Sequence, residues 1–101
     1  MEVVEFLERT YTGENYSTRE RIVCKDGFNI SVQGGTSGHY CTPRKMCNEY
    51  DRVELGFPSE ADDLISGYAE DKEDLTGTVY GYVPIEIVEE LIKKHGGIIN
   101  G

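Results

Sequence analysis

The stretch IVCKDGFNISVQ, residues 22–33, decides the fold of this 101-residue chain. From Phe28 to Val32 apolar and polar side chains alternate, and a period of two predicts a β-strand with one buried and one polar face. Asp26-Gly27 separates this strand from the apolar residues before it, and a glycine there supplies the positive φ that a short turn requires. The stretch therefore predicts an antiparallel β-hairpin.

Two stretches further along the chain predict two more strands. Residues 53–57 alternate in the same way and stop at Pro58, a residue that cannot donate to a sheet. Residues 78–83 are rich in valine and tyrosine, and strict alternation would place Tyr80 and Tyr82 on one face of this fourth strand.

Helical spacing of apolar residues predicts three helices around these strands. The first begins near Val3 and ends at Gly13, the second is capped by Ser59, and the last begins at Pro84. At this length only one modest core is expected. We therefore expect a single α+β domain over residues 1–101, with a four-stranded, mainly antiparallel sheet, three helices, and the last helix across one face.

Composition places the chain among small acidic globular domains. Hydrophobic residues make up 38% and charged residues 29%, and 19 acids against 10 bases leave a net charge of −9. The apolar runs are far shorter than the ~20 residues of a membrane span, and acidic residues interrupt the N-terminal segment where a secretory signal would be apolar. We expect a cytoplasmic protein without a membrane association, in which the three cysteines are reduced thiols.

Charge is distributed unevenly along the chain. Residues 19–45 carry five bases and two acids, whereas residues 46–90 carry thirteen acids and two bases. A protein that binds nucleic acid directly needs a basic face to neutralise phosphates, so the acidic block disfavours that function. The basic segment is suited to a small anion instead.

The segment after the second predicted strand concentrates polar and basic side chains. Glycines there favour turns that expose backbone N–H groups, and an arginine offers a planar fork of donors that matches a phosphate. We expect a small anionic ligand whose phosphate contacts His39, Arg44 and Lys45. Ser31, Gln33 and Thr42 would form hydrogen bonds with it. Tyr80 or Tyr82 would stack on its ring, and Tyr40 would also contact it. The competing interpretation is an ordinary solvated loop.

Cysteine and acidic residues offer weaker alternatives. Cys24, His39, Cys41 and Cys47 are zinc-ligand types, but their spacing fits no zinc motif, and no orienting third group identifies Cys41 as a nucleophile. Carboxylates within residues 60–74 lack the pattern of a calcium loop and predict a solvated face. His95 is interpreted as a cation at the negative end of the last helix. We expect neither an enzyme nor a bound metal or cofactor.

Several stretches resemble a group of small uncharacterised proteins encoded by phages and prophages of Gram-positive gut bacteria. They are residues 22–28, 31–33, 39–44, 78–84 and 94–98. The resemblance implies a setting, the cytoplasm of an infected bacterium, where small non-enzymatic proteins counter host defences. It implies no role for any single residue.

The sequence and this setting together give a functional expectation. We expect a non-catalytic protein that sequesters a small anionic, nucleotide-like immune signal, a counter-defence sponge. A homo-oligomer would let subunits close the pocket together. The alternative is an acidic nucleic-acid mimic that binds and inhibits a basic host nuclease.

Overall fold

The computed structural model describes residues 1–11, 19–35, 40–42 and 50–101. In chain order their elements are α1 (Val3–Arg9), β1 (Ile22–Val23), β2 (Asn29–Gln33), β3 (Arg52–Gly56), a 3₁₀ helix (Ser66–Tyr68), β4 (Val79–Pro84) and α2 (Ile85–Lys94). No helix within these ranges is long and apolar enough to cross a membrane.

The four strands form one antiparallel sheet in the order β1-β2-β3-β4. The predicted hairpin joins β1 to β2, with Ile22 opposite Ile30. Gly27 turns the chain at φ 96, and the Cys24 N–H donates to the Phe28 carbonyl at 2.8 Å. The α+β class, the hairpin and the four-stranded antiparallel sheet are therefore confirmed.

One core lies between the sheet and the two α-helices. Every second residue of β2, including Ile30 and Val32, points into it, and α2 contributes Val88 and Leu91. Gly96 and Gly97, at φ 96 and 90, end the last helix in the left-handed region as such a terminus requires. The amphipathic final helix is thus confirmed, and its burial is a main source of stability.

Two α-helices occur in the described residues, where three were predicted. Residues 59–68 form turns and the short 3₁₀ helix instead of a helix capped by Ser59. The Ser59 hydroxyl does not cap a helix, because it accepts a hydrogen bond from the Asn29 N–H of β2 at 3.0 Å. Asp62 accepts the Leu64 N–H at 3.0 Å, a local turn that competes with helix formation. The first helix also ends early, at Arg9, and Gly13 lies outside the described residues.

A β-bulge in β4 overturns the prediction that Tyr80 and Tyr82 share a face. Val53 pairs with Val83 and Leu55 pairs with Tyr80, so one residue of β3 opposes two residues of β4. Tyr82 has a left-handed backbone at φ 53 and is exposed, whereas Tyr80 is fully buried. The bulge therefore sends one of the two tyrosine rings to the surface.

Candidate functional site

The outer edge of β4 carries a notch at its bulge. Before the bulge, the Glu70 N–H donates to the Val79 carbonyl at 2.9 Å; after it, the Tyr82 N–H donates to the Tyr40 carbonyl at 2.8 Å. Gly81 lies between these two contacts. The tyrosine notch, as we name it, is a cavity of about 260 Å³ lined by Tyr40, Tyr68, Glu70 and Gly81.

Gly81 is required here by the close approach of Tyr40. A Cβ atom at Gly81 would lie 3.2 Å from the Tyr40 Cβ, tighter than side chains usually pack. The glycine thus lets Tyr40 lie against β4, since a glycine within a strand allows another part of the chain to approach the backbone closely.

Tyr40 and Tyr82 form an aromatic pair beside the notch. Their ring centroids are 6.1 Å apart and the ring planes meet at 63°, an edge-to-face arrangement. The two side chains are 40% and 45% exposed, and Tyr68 across the notch is 36% exposed, so three aromatic rings are available to a ligand. Arg52 steadies the pair, because its guanidinium donates to the Tyr82 carbonyl at 3.3 Å.

One acidic residue, Glu70, lines the notch, and a second, Glu54, contacts the backbone of Tyr40. Glu54 accepts the Tyr40 N–H at 3.3 Å and so helps to position that ring. Glu70 is exposed, and among the described residues no group donates a hydrogen bond to its carboxylate. The notch therefore offers aromatic faces together with an uncommitted hydrogen-bond acceptor.

Comparisons with protein-family models, curated proteins and solved structures find no match. The function of the notch therefore has to be inferred from its own residues.

The structure brings only part of the predicted site together. Tyr40 and Tyr82 meet at the notch, and Thr42 is exposed nearby in sequence, its N–H donating to the Arg52 carbonyl at 2.9 Å. His39, Arg44 and Lys45 lie outside the described residues.

Two of the predicted ligand-binding residues, Gln33 and Tyr80, are buried and already hydrogen-bonded within the protein. Gln33 is buried, and its amide is occupied by the backbone of Arg19 and by the Ser31 hydroxyl, which accepts at 3.0 Å. Tyr80 is in the core, and its hydroxyl donates to the Leu75 carbonyl. Ser31 is half-buried beside Gln33, so these three residues support the sheet.

Tyr68 and Glu70 are members of the notch that the sequence did not reveal. Tyr68 falls within the predicted second helix, and Glu70 falls within the acidic stretch that was predicted to be a solvated face. The nearest signal was Gly81 between two tyrosines, which marks a close approach but not the residue that makes it.

His95 lies in a second polar cluster, formed by Asp26, Asp62, Lys94 and His95, which we name the His95 cluster. Its Nδ1 is 2.7 Å from Asp26 Oδ2 and its Nε2 is 3.1 Å from Asp62 Oδ2, and Lys94 donates to Asp62 at 3.0 Å. The ring is buried and stacks on Phe28 with centroids 4.0 Å apart. His95 lies at the C-terminal end of α2, as predicted, and it also links that helix to two other parts of the chain.

The His95 cluster favours charged groups. Burial alone would lower the pKa of His95, but hydrogen bonds to Asp26 and Asp62 outweigh it and raise that pKa. The pKa of Asp26 is lowered by the Phe28 N–H and by His95. The pKa of Asp62 is also lowered, because hydrogen bonds from Leu64, Lys94 and His95 outweigh its burial. In its charged state the imidazolium donates from both ring nitrogens.

The cysteine alternatives gain no support. Burial, together with the charge of Asp26, raises the pKa of the Cys24 thiol to about 11, and a thiol of high pKa is a poor nucleophile and metal ligand. Cys41 is buried and donates to the Gly35 carbonyl at 3.3 Å. Within the part of the chain that the structure describes, no group of three metal-ligating side chains is arranged so that it could hold a metal ion, and Cys47 lies outside it.

A larger groove of about 530 Å³ separates the N-terminus from α2. Its polar lining includes Glu2, Glu89, Glu90 and Lys93, and Glu89 already accepts the Val3 N–H at 2.8 Å. Among the described residues no aromatic ring lines it. The tyrosine notch has two exposed tyrosines in its lining, a third beside it and an uncommitted acceptor, and is therefore the stronger candidate.

Proposed function

We propose that this protein is a non-catalytic binding protein that receives the planar ring of a small, nucleotide-like ligand at the tyrosine notch. The observation that carries the proposal is the exposed pair of Tyr40 and Tyr82, held edge to face beside a cavity. A left-handed tyrosine is costly, and such conformations concentrate at functional sites. Stacking on an aromatic side chain contributes ~1–3 kcal/mol per base.

The size of the notch limits what enters it. Pockets that enclose a whole drug-sized ligand measure ~300–1,000 Å³, and this cavity of about 260 Å³ falls below that range. A ring system would enter while the sugar and phosphate remain outside. His39 precedes Tyr40 directly, and Arg44 and Lys45 follow Thr42 closely, so the same segment supplies positive charge for that phosphate.

The biological setting follows from the resemblance to phage proteins. In the cytoplasm of an infected bacterium, tight binding without turnover would remove a nucleotide immune signal, the action of a sponge. A notch at a sheet edge leaves a ligand partly exposed, so a second subunit of a homo-oligomer would complete its enclosure. Sedimentation equilibrium distinguishes this arrangement from a monomer.

The test is thermal unfolding of the full chain with a panel of nucleoside monophosphates and cyclic dinucleotides. A ligand at ~100 times its Kd should raise the Tm by on the order of 10 °C. Tyr82→Ala should abolish the shift. Phe57→Ala is the matched control, because Phe57 is also an exposed aromatic residue with positive φ, at 51, whereas Tyr82 is the one that packs edge to face against Tyr40 of the notch. The absence of a shift with every ligand would refute the proposal.

The exposed carboxylates favour one second candidate, the acidic mimic that inhibits a basic host nuclease. Within residues 60–74 the exposed acids are Glu60, Asp63, Glu70, Asp71, Glu73 and Asp74, whereas Asp62 is buried in the His95 cluster and could not contribute. Under this alternative, Asp63→Lys together with Asp71→Lys should abolish capture of a basic nuclease. Under the sponge proposal the same variant keeps its nucleotide.

A further inference from the structure

Resting on the proposed function, we infer that Glu70 makes the tyrosine notch selective for a guanine-type base, one with adjacent N–H donors on its edge. The backbone fixes this residue beside β4, because its N–H donates to the Val79 carbonyl at 2.9 Å. Glu70 lines the same cavity as Tyr40 and Tyr68. A ring bound in this cavity would therefore lie beside Glu70.

The carboxylate of Glu70 is available to a ligand. Two other acids are already engaged: Glu54 accepts the Tyr40 N–H, and Asp71 accepts the Glu73 N–H at 3.0 Å. For Glu70 the structure shows no such donor within the described residues. An ionised carboxylate only accepts hydrogen bonds, and its two oxygens lie side by side, so it pairs best with two parallel donors.

The four common bases differ in what they offer such an acceptor. Guanine presents a ring N–H next to an amino group, so both carboxylate oxygens receive a donor. Adenine and cytosine present an amino group next to a ring nitrogen that accepts, and its lone pair repels the second oxygen. Uracil presents one N–H between two carbonyl groups, which repel the carboxylate on both sides. The carboxylate therefore selects guanine and disfavours uracil most.

Charge also fixes the orientation of the ligand. A phosphate directed into the notch would meet the negative charge of Glu70, which lines the cavity. The base therefore enters the notch and the phosphate stays out. The reverse orientation would place like charges together.

Isothermal titration of the full chain with GMP, AMP, CMP and UMP tests the inference. GMP should bind about tenfold more tightly than UMP, because the difference includes a charge-assisted hydrogen bond. Glu70→Gln should reduce GMP affinity about tenfold, since an amide replaces one acceptor with a donor, and should leave UMP affinity unchanged or higher. The control Glu73→Gln removes the same charge from an exposed neighbour that does not line the notch and should change neither affinity.

The possible results separate this inference from the proposed function. Equal affinity for all four nucleotides, lost in Tyr82→Ala but kept in Glu70→Gln, would overturn the selectivity of Glu70 and leave the binding function in place. No binding of any of the four by the wild-type chain would overturn the selectivity of Glu70, and the proposed function would be overturned as well if the cyclic dinucleotides gave no shift in Tm. Circular dichroism of Glu70→Gln should match the wild type, because the side chain holds no internal hydrogen bond among the described residues.

Discussion

Phe57 and Tyr82 have left-handed backbones at φ 51 and 53 although neither is a glycine. This conformation costs ~1–3 kcal/mol at each site. Both rings are largely exposed, so burial of the side chain does not offset the cost. At Tyr82 the strain accompanies the bulge that presents the ring beside the notch, which fits a residue kept for binding at the expense of stability.

Substitution of Tyr82 separates backbone strain from the ring. In an ordinary strand position alanine is more stable than glycine by ~0.5–1 kcal/mol, but at positive φ alanine is strained and glycine is not. Tyr82→Gly should therefore unfold with a free energy about 1 kcal/mol larger than Tyr82→Ala in urea titrations. The same pair at Val79, which has an ordinary backbone in the same strand, should show the opposite order. Tyr82→Gly less stable than Tyr82→Ala would argue against strain at this residue.

At the scale of elements, the His95 cluster joins three parts of the chain. Asp26 belongs to the turn between β1 and β2, Asp62 to the segment before the 3₁₀ helix, and His95 to the end of α2. The Asp26 N–H also donates to the His95 carbonyl at 3.2 Å, so backbone and side chain connect the same elements. Stability of these junctions therefore depends on the charges of the cluster.

The pH dependence of unfolding follows from these charges. Because the pKa of His95 is raised by folding, its contribution is full below the unfolded value of 6.5 and is lost as pH rises through the folded pKa. Asp26 and Asp62 have lowered pKa values, so their contributions are present above 3.8 and are lost as pH falls through the folded values. The Tm should therefore be highest between these limits and decline toward alkaline pH.

The substitution His95→Gln measures how much His95 contributes to the pH dependence of Tm. Glutamine keeps a polar side chain but does not titrate, so the variant should lose the decline of Tm above the unfolded histidine pKa and keep the decline at acid pH. The second histidine, His39, is present in both chains, so comparison of the two cancels any contribution from it. Parallel wild-type and variant curves through neutral pH would show that the cluster does not hold a charged imidazole.

Elements governed by local patterns were predictable, and those governed by distant partners were not. The hairpin and α2 follow from their own periodicity and glycines. The segment 59–68 fails as a helix because Ser59 bonds to β2 and Asp62 bonds to His95, contacts that no local pattern contains. The bulge in β4 likewise depends on its pairing with β3.

The same distinction applies to the candidate site. Tyr40 and Tyr82 stood out in the sequence as aromatic residues near polar and glycine-rich stretches. Tyr68 and Glu70 join them only because Ala69 pairs with β4 at Tyr80, a contact distant in sequence from Tyr40. The sequence therefore indicated which single residues could bind a ligand, but only the fold shows which residues lie together in the notch.

At the scale of the whole molecule, the net charge of −9 opposes the approach of an anionic ligand. Salt screens long-range repulsion over ~10 Å at an ionic strength of ~0.1 M. The repulsion therefore mainly slows the association of the ligand with the protein. Close to the notch, the proposed contacts of a phosphate with His39, Arg44 and Lys45 would be attractive. A comparison of a nucleotide with its nucleoside separates these opposing effects, because only the nucleotide carries the phosphate.

The affinity of GMP relative to guanosine should depend on salt. If the phosphate meets the basic segment, GMP binds more tightly at ~0.01 M ionic strength, and this advantage shrinks by ~0.15 M because screening weakens the contact. Arg44→Gln should remove most of the advantage without changing guanosine affinity. Arg9→Gln is the control, since it removes the same charge from an exposed position in α1. Tighter binding of guanosine than of GMP at low salt would mean that the net field of the protein dominates, and that the phosphate does not reach Arg44.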